Sequence, residues 1–299
     1  MTAHEVEPRF RPNGRNWPLL WAYIVECGGS TKSSSASAMA VTAALRGHPG
    51  TCFDLDSNMS LTTILGYDET GLKGKKNVLD LLYGTATLDE VALPARYRIG
   101  EGYGDDAFAL IPNLRIVPGS PAMAGADTAI AEDADRNDWF AEILRSYRGD
   151  DTVFYMDFPA SYGKMPYSVL RMLDEEDSVI PSIKADPKDV KLVKKLTEEL
   201  ERIRFKNRGR RSVPGRPTLN KMILTGTPTA TYKEAPARRA TALAEAMYGK
   251  VLLPYVRYSA DAKKLYEDEC PLPILLPNSV PSEDYRKMMT HLGFVNRQA

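Results

Sequence analysis

Cysteine and histidine are scarce in this 299-residue sequence, with three of each. Cys27, Cys52 and Cys270 cannot all pair with one another, and no two of them form a CxxC. A disulfide scaffold and a thiol-held cluster are thereby excluded, and a reducing cytosol is the expected setting. His4, His48 and His291 lie too far apart in sequence to build a histidine-based metal motif. No apolar run approaches the roughly 20 residues of a membrane span. The first residues, MTAHEVEPRFRPNGR, hold no continuous apolar stretch of the secretory kind. Net charge is absent too, with 39 basic residues against 39 acidic.

What is present is an ordinary globular composition, 43% hydrophobic and 26% charged, which supports a buried core and excludes global disorder. The hydrophobic pattern alternates short β-forming runs with helical stretches. LLWAYIV (19–25), TCFDL (51–55), NLRIVPGS (113–120), TVFYMD (152–157), SVIPS (178–182), KMILTG (221–226) and KVLLPYV (250–256) read as strands. Between them, 33–46, 78–84, 138–149, 236–248 and the final SEDYRKMMTHLG read as helices. Leu192, Leu196, Leu200 and Ile203 give 187–206 an amphipathic helical face. Such alternation implies right-handed crossovers and a mostly parallel central sheet with helices on both faces, a three-layer α/β fold. No repeat or linker interrupts it, so the expectation is a flexible arm over 1–18 and a single domain over 19–299.

The zero net charge hides an asymmetry. Residues 1–150 hold 14 Lys/Arg and 20 Asp/Glu, and residues 151–299 hold 25 and 19. The excess concentrates in RIRFKNRGRRSVPGR (202–216), where Arg202, Arg204, Lys206, Arg208, Arg210, Arg211 and Arg216 stand without an acid. A run this dense attracts polyanions. It is either a solvated basic loop or a nucleic-acid contact. Phe205 is its one aromatic, so base stacking is not expected.

In a doubly wound sheet a ligand sits beyond the carboxyl ends of the strands. The first strand is followed there by ECGGSTKSSS, which places two glycines, Lys32 and a run of hydroxyls at a helix start. Backbone N–H groups and the helix dipole at such a start suit a phosphate, and Ser33 can offer a hydroxyl to Mg²⁺. The strict pattern GxxxxGK[ST] is not met, because Glu26 and Thr31 occupy its two glycine positions. If position 31 needs a positive φ, Thr31 costs roughly 1–3 kcal/mol of strain. Two further strands end in acids: Asp54-Leu55-Asp56, where alternation puts both carboxylates on one side, and Asp157. An acid at the end of a buried apolar strand needs a partner, and a magnesium ion is one. A Lys-Ser loop beside these acids suits Mg-assisted phosphoryl transfer.

In their order along the chain, CGGSTKSSSASAMAVTAAL, FDLDSNMSLTTILGYD, NLRIVPGS, VFYMDFPAS, SVIPS and KVLLPYVRYSADAKKLYEDECPLPIL cover most of residues 20–275. The sequence resembles the ParA/MinD group of deviant Walker P-loop ATPases, and within it the ParA-type partition proteins. DLDSNMSLTTILG, similar to the family's DLDPQ-type segment, is the most specific piece. The resemblance implies ATP and Mg²⁺ as cofactors, bound by the loop residues Gly28, Gly29, Ser30, Thr31, Lys32, Ser33 and Ser34. Lys32 matches the lysine on the β- and γ-phosphates, Ser33 the Mg²⁺ hydroxyl, and Ser34 a phosphate contact. Asp56 matches the acid that positions the attacking water near the metal, and Asp157 the Walker B acid holding Mg²⁺ through water.

The family also implies a homodimer when ATP is bound, non-specific DNA binding, a centromere-binding ParB-like partner and a nucleoid-associated, cytoplasmic setting. The basic run then becomes the DNA footprint; neutralising about five phosphates gives a salt slope near −4 to −5. Only about 18 residues precede the first strand, so the N-terminal DNA-binding extension of larger relatives is not expected. Two departures stand out. The family's KGGxGK loop begins with a lysine that reaches across the dimer, and here that position is Cys27; the glycine before the second lysine is Thr31. They imply slow hydrolysis, or another basic residue in place of Cys27. A cysteine near a helix N-terminus can also be acidified. A non-hydrolysing DNA-binding scaffold and a MinD-like positioning ATPase are the alternatives. The tail, lacking charges of one sign, reads as a docked helix end rather than a membrane anchor.

Overall fold

The computed structural model describes residues 17–27, 29, 31–102, 104–210, 213–229, 234–260, 265 and 267–297. The expected arm therefore lies, apart from Trp17 and Pro18, outside the described residues, as do Gly28, Ser30 and Arg211. The chain opens with β1 (Leu19–Tyr23), α1 (Lys32–Leu45), β2 (Gly50–Asp54), α2 (Ser60–Ile64), α3 (Val78–Leu82) and α4 (Leu88–Val91). A hairpin of β3 (Leu93–Arg98) and β4 (Phe108–Val117) follows, then α5 (Ala126–Glu132), α6 (Trp139–Ser146), β5 (Val153–Asp157) and α7 (Lys164–Leu170). The remainder is β6 (Ser178–Val179), β7 (Ser182–Lys184), α8 (Pro187–Asn207), β8 (Ile223–Thr227), α9 (Ala235–Tyr248), β9 (Val256–Arg257), α10 (Leu272–Leu275) and α11 (Val280–His291).

Six strands pair in the order β3-β4-β2-β5-β1-β6, parallel except for the antiparallel edge hairpin β3–β4. Three more, β7-β8-β9, continue beyond the two-residue break at Ile180–Pro181, where an isolated parallel bridge joins Val179 to Leu219. The central strands are apolar on both faces because both faces are covered. Leu20, Ala22 and Ile24 enter one core with α3, α6, α7 and the second half of α8. Trp21 and Tyr23 point the other way, into a core with α1, α10 and α11. This is the expected three-layer α/β arrangement. The hydrophobic stripe of α8 runs through Val190, Val193, Leu196, Leu200 and Ile203, with Leu192 only half-buried beside it.

Register fixes the working end. β1 pairs β5 with Tyr23 opposite Asp157, and β2 pairs β5 with Asp54 opposite Asp157. The two acids therefore finish neighbouring strands at the same height. The α1 segment is built of Ser and Ala, and nearly all of it is buried. Small side chains let it lie close between the sheet and α11, so its N-terminus is held at that same edge. Two expectations differ. Residues 250–256 form a strand only at Val256, with one bridge at Leu252, because Pro254 carries no N–H for a ladder. The edge strand β3 carries an exposed proline among mostly half-buried residues, so its sequence shows no clear alternation.

Candidate functional site

The loop from β1 to α1 delivers Lys32 and Ser33 to the carboxyl ends of β2 and β5. Lys32 is 6% exposed, and its Nζ lies 3.5 Å from the Val25 carbonyl. Ser33 Oγ donates to Asp157 Oδ2 at 2.5 Å. The other oxygen, Asp157 Oδ1, is buried and meets no hydrogen-bond partner among the described residues. Native interiors seldom leave such an atom unsatisfied. Burial and then the neighbouring Asp54 charge push the Asp157 carboxyl well above its ordinary range, against the opposing pull of Ser33 and Lys32. A cation would relieve both features.

Asp54 is fully buried, and burial pushes its carboxyl up to about 6. It accepts from Thr62 N (2.8 Å) and Thr62 Oγ1 (2.7 Å) through one oxygen and from Asp56 N (3.2 Å) through the other. Gly119 closes this arrangement, donating its N–H to Thr62 Oγ1 at 2.9 Å. A Cβ at Gly119 would stand 3.1 Å from the Asp54 carboxyl carbon, so the glycine of VPGS is there for close approach. The expected alternation of Asp54 and Asp56 fails because β2 ends at Asp54. Asp54 turns inward as a loop anchor. Asp56 is half-buried in the following turn, where Oδ1 accepts from Asn58 N at 3.0 Å. Its charge still reaches both Asp54 and Asp157. Lys32, Ser33, Asp56 and Asp157 are thus brought together, and Asp54, Thr62 and Gly119 are the supporting residues that sequence reasoning missed.

The unusual loop residues have specific seats. Thr31 caps α1 with φ −94° and ψ 26°, so the strain expected of a positive φ does not arise. Its Oγ1 lies 2.8 Å from Ser182 Oγ and 3.1 Å from Thr225 Oγ1. Gly29 takes φ +66°, and its missing Cβ would stand 3.9 Å from Lys184 Nζ. Cys27 is buried, with its thiol hydrogen-bonded to Asp189 at the start of α8. Burial and that acid push the thiol up, so it is not acidified. Glu26 is tied outward, in an ion pair with Lys195 and through its N–H to the Tyr162 hydroxyl (3.2 Å). Ser34 is half-buried in the first turn of α1.

The basic run sits elsewhere. Helix α8, which carries the first part of the run, lies beside Cys27 at Asp189 in its first turn and ends at Asn207, so the run lies about one helix length, roughly 30 Å, from Lys32. Arg202, Arg204, Lys206, Arg208, Arg210 and Arg216 are all exposed. Arg202 pairs with Glu199, and Arg216 reaches Glu175 at 3.4 Å. Arg204 is turned onto the Pro217 carbonyl (2.9 Å), while Lys206 and Arg208 lie over the rings of Tyr167 and Phe205. A cleft of about 980 Å³ opens among Arg204, Arg208, Arg210 and Arg216.

No protein-family model matches the sequence, and no curated protein is similar to it at a significant level. Solved structures share its fold. Cobyrinic acid a,c-diamide synthase from Mycobacterium smegmatis, solved with an ATP analogue and magnesium, superposes with a TM-score of 0.70 at 18% identity, over 92% of this chain and 94% of that one. A protein described as a plasmid partition protein from Borrelia burgdorferi, bound to AMPPNP, gives 0.68 at 15% identity over 92% and 98%. The septum site-determining protein MinD from Pyrococcus horikoshii, with Mg-ADP, gives 0.66 at 16% identity over 92% and 96%. This chain has the fold of the ParA/MinD-type P-loop ATPases.

Proposed function

We propose that this chain is a ParA-like ATPase that binds ATP with Mg²⁺ at the Lys32 loop and couples the nucleotide to DNA binding in plasmid or chromosome partition. One observation carries the reading: Ser33 holds one oxygen of a buried strand-end acid, Asp157, whose other oxygen has no described partner. The residues present fit a magnesium nucleotide. No described cluster of His, Cys, Asp and Glu suffices to hold a metal ion alone. The site offers instead one hydroxyl and nearby carboxylates, the partial shell Mg²⁺ takes when phosphate and water complete it. Ser33 and Asp157 would hold the ion, which supplies charge neutralisation on the phosphoryl group being transferred.

The chain's own groups divide the remaining work. Loop N–H groups and the start of α1 receive the phosphates. Lys32, buried nearby, sets a positive charge against their oxygens. Asp56 accepts a hydrogen bond from the attacking water and orients it. Asp54 fixes the loop carrying Asp56 through Thr62. Lys184 is exposed beside Gly29 and forms no described ion pair, and we take it as the basic residue that stands in for the lysine missing at Cys27.

The seven basic residues at 202–216 are the proposed DNA footprint, with an ATP-bound homodimer and a centromere-binding partner completing the cycle. Charges roughly 30 Å apart are screened at physiological salt. Nucleotide control of DNA affinity therefore comes through dimerisation, which doubles the number of footprints on one molecule. A membrane-bound, MinD-like role is less well supported. Tyr285, Met288 and Met289 of the C-terminal helix α11 are buried against the fold, and no described helix is long and apolar enough to cross a membrane. ATP turnover measured with and without DNA tests the proposal. DNA-stimulated, Mg-dependent hydrolysis lost in Lys32→Ala supports it, and nucleotide binding without turnover would leave the non-hydrolysing scaffold.

A further inference from the structure

A chain of hydroxyl groups joins Thr31 of the loop to side chains from four elements, β7, β8, α1 and α11. Thr225 Oγ1, on β8, donates to the Ile183 carbonyl at 3.1 Å. With its single proton spent, it accepts from Thr31 Oγ1 at 3.1 Å. Thr31 in turn accepts from Ser182 on β7 (2.8 Å), Ser182 from Ser35 on α1 (2.8 Å), and Ser35 from Tyr285 on α11 (2.8 Å). Each hydroxyl carries one proton, so this polarity satisfies every donor in the series. The alternative for Ser182, a 3.3 Å contact to the Thr31 carbonyl, still ends on the same residue. Ser35 and Ser182 are fully buried, and Tyr285 is 2% exposed. In such surroundings an unmade hydrogen bond is costly.

The chain touches two places that matter for the site, through Thr31 near one end and Tyr285 at the other. Thr31 is the residue immediately before Lys32 and Ser33. Tyr285 follows Asp284, which holds Arg257 at the end of β9 by its backbone N–H (2.9 Å) and its guanidinium (2.7 Å). One run of directed bonds thus joins the loop to the docked C-terminal helix, which is itself tied to β9 through Asp284.

We propose that the series Tyr285–Ser35–Ser182–Thr31–Thr225 presets the phosphate loop before a nucleoside triphosphate arrives and couples its binding to the docking of α11. The inference rests on the nucleotide-binding reading above. Thr31 and Tyr285 are positioning residues: they act on the phosphates through the placement of Lys32 and Ser33. A threonine at a position where related loops carry glycine is then functional, because only a side chain can reach Ser182 and Thr225.

The test is calorimetric binding of AMPPNP with magnesium to the full chain and to Thr31→Val, Thr31→Ser, Tyr285→Phe and the Thr31→Val/Tyr285→Phe double variant. Phe removes only the hydroxyl oxygen and Val replaces a hydroxyl by a methyl of similar size, so side-chain volume is kept, and melting curves check that each variant is folded. The expected result is about a tenfold loss for Thr31→Val and about a threefold loss for Tyr285→Phe, with affinity kept in Thr31→Ser. The double variant loses less than the product of the two, because both cut one chain. In turnover, KM rises while kcat holds. Amide exchange along α11 slows on nucleotide binding in the native protein and not in Thr31→Val. Native-like affinity in both single variants, or losses that multiply, overturns the coupling while leaving the nucleotide site intact. Absence of Lys32-dependent binding in the native protein overturns the site reading, and this inference with it.

Discussion

Ser33 and Asp157, 124 positions apart in sequence, meet in a 2.5 Å hydrogen bond at the carboxyl edge of the sheet. The bond exists because β1 and β5 pair in a register that brings Tyr23 and Asp157 level, and because α1 starts a few residues beyond β1. It leaves Asp157 with one satisfied oxygen and one buried oxygen lacking a described partner. The proposed magnesium-nucleotide site accounts for an acid held at a cost in stability.

Asp157→Asn is therefore expected to stabilise the nucleotide-free protein while destroying its function. The native carboxyl sits above its ordinary range because burial and Asp54 disfavour its charge. At neutral pH that disfavour opposes folding. Removing the charge should raise the melting temperature by roughly 3 °C or more. Mg-dependent ATP hydrolysis should fall to background. Calorimetric scans with and without Mg-ATP check both halves, and a lowered melting temperature would contradict the first.

The pH dependence of stability should carry the mark of Asp54. Its carboxyl is pushed from the ordinary 3.8 up to about 6 by burial. Between those values the folded state keeps a proton that the unfolded state has released. Stability should thus fall as pH rises from about 4 to about 6, the reverse of an ion-paired carboxylate. Urea midpoints across pH 4–8 measure this, and Asp54→Asn should make that limb shallower without abolishing it, because the Asp157 carboxyl is raised as well.

Lys184→Ala should weaken binding of ATP more than that of ADP, by about three- to tenfold, if the exposed cation beside Gly29 takes its proposed place against the terminal phosphate. Lys184→Arg should retain most of the affinity. Equal losses for the two nucleotides would remove Lys184 from the role of the missing loop lysine.

Replacing Arg208, Arg210 and Arg211 together with Ala should lower non-specific DNA affinity and reduce the log–log salt slope by about 2–3. Arg202→Ala and Arg216→Ala should do less, since both guanidinium groups already have acidic neighbours in Glu199 and Glu175. Filter binding across a salt series separates these outcomes. An unchanged slope in the triple variant would move the footprint elsewhere on the basic half.

Much of this site is legible in the sequence because its chemistry is local. Lys32-Ser33 follows an apolar strand after one short Gly-Ser loop, and Asp157 ends one, so both announce themselves by spacing. Asp54 misleads, because the rule that places alternate residues on one face holds only while the strand continues, and β2 stops there. Its role depends on Thr62 and Gly119, contacts set by tertiary packing. Thr31 misleads in the opposite direction. Read alone it is a departure that implies strain, whereas its ordinary φ and its two hydroxyl partners on β7 and β8 make it a seated residue. Those partners come from strands 151 and 194 positions away, beyond the reach of any local pattern.

The most direct measurement is calorimetric titration of ATP into the native chain and into Lys32→Ala, with and without magnesium. The account predicts binding in the micromolar range with Mg²⁺, at least tenfold weaker when the metal is chelated, and none in Lys32→Ala. No heat in the native protein, or equal affinity in Lys32→Ala, would contradict it.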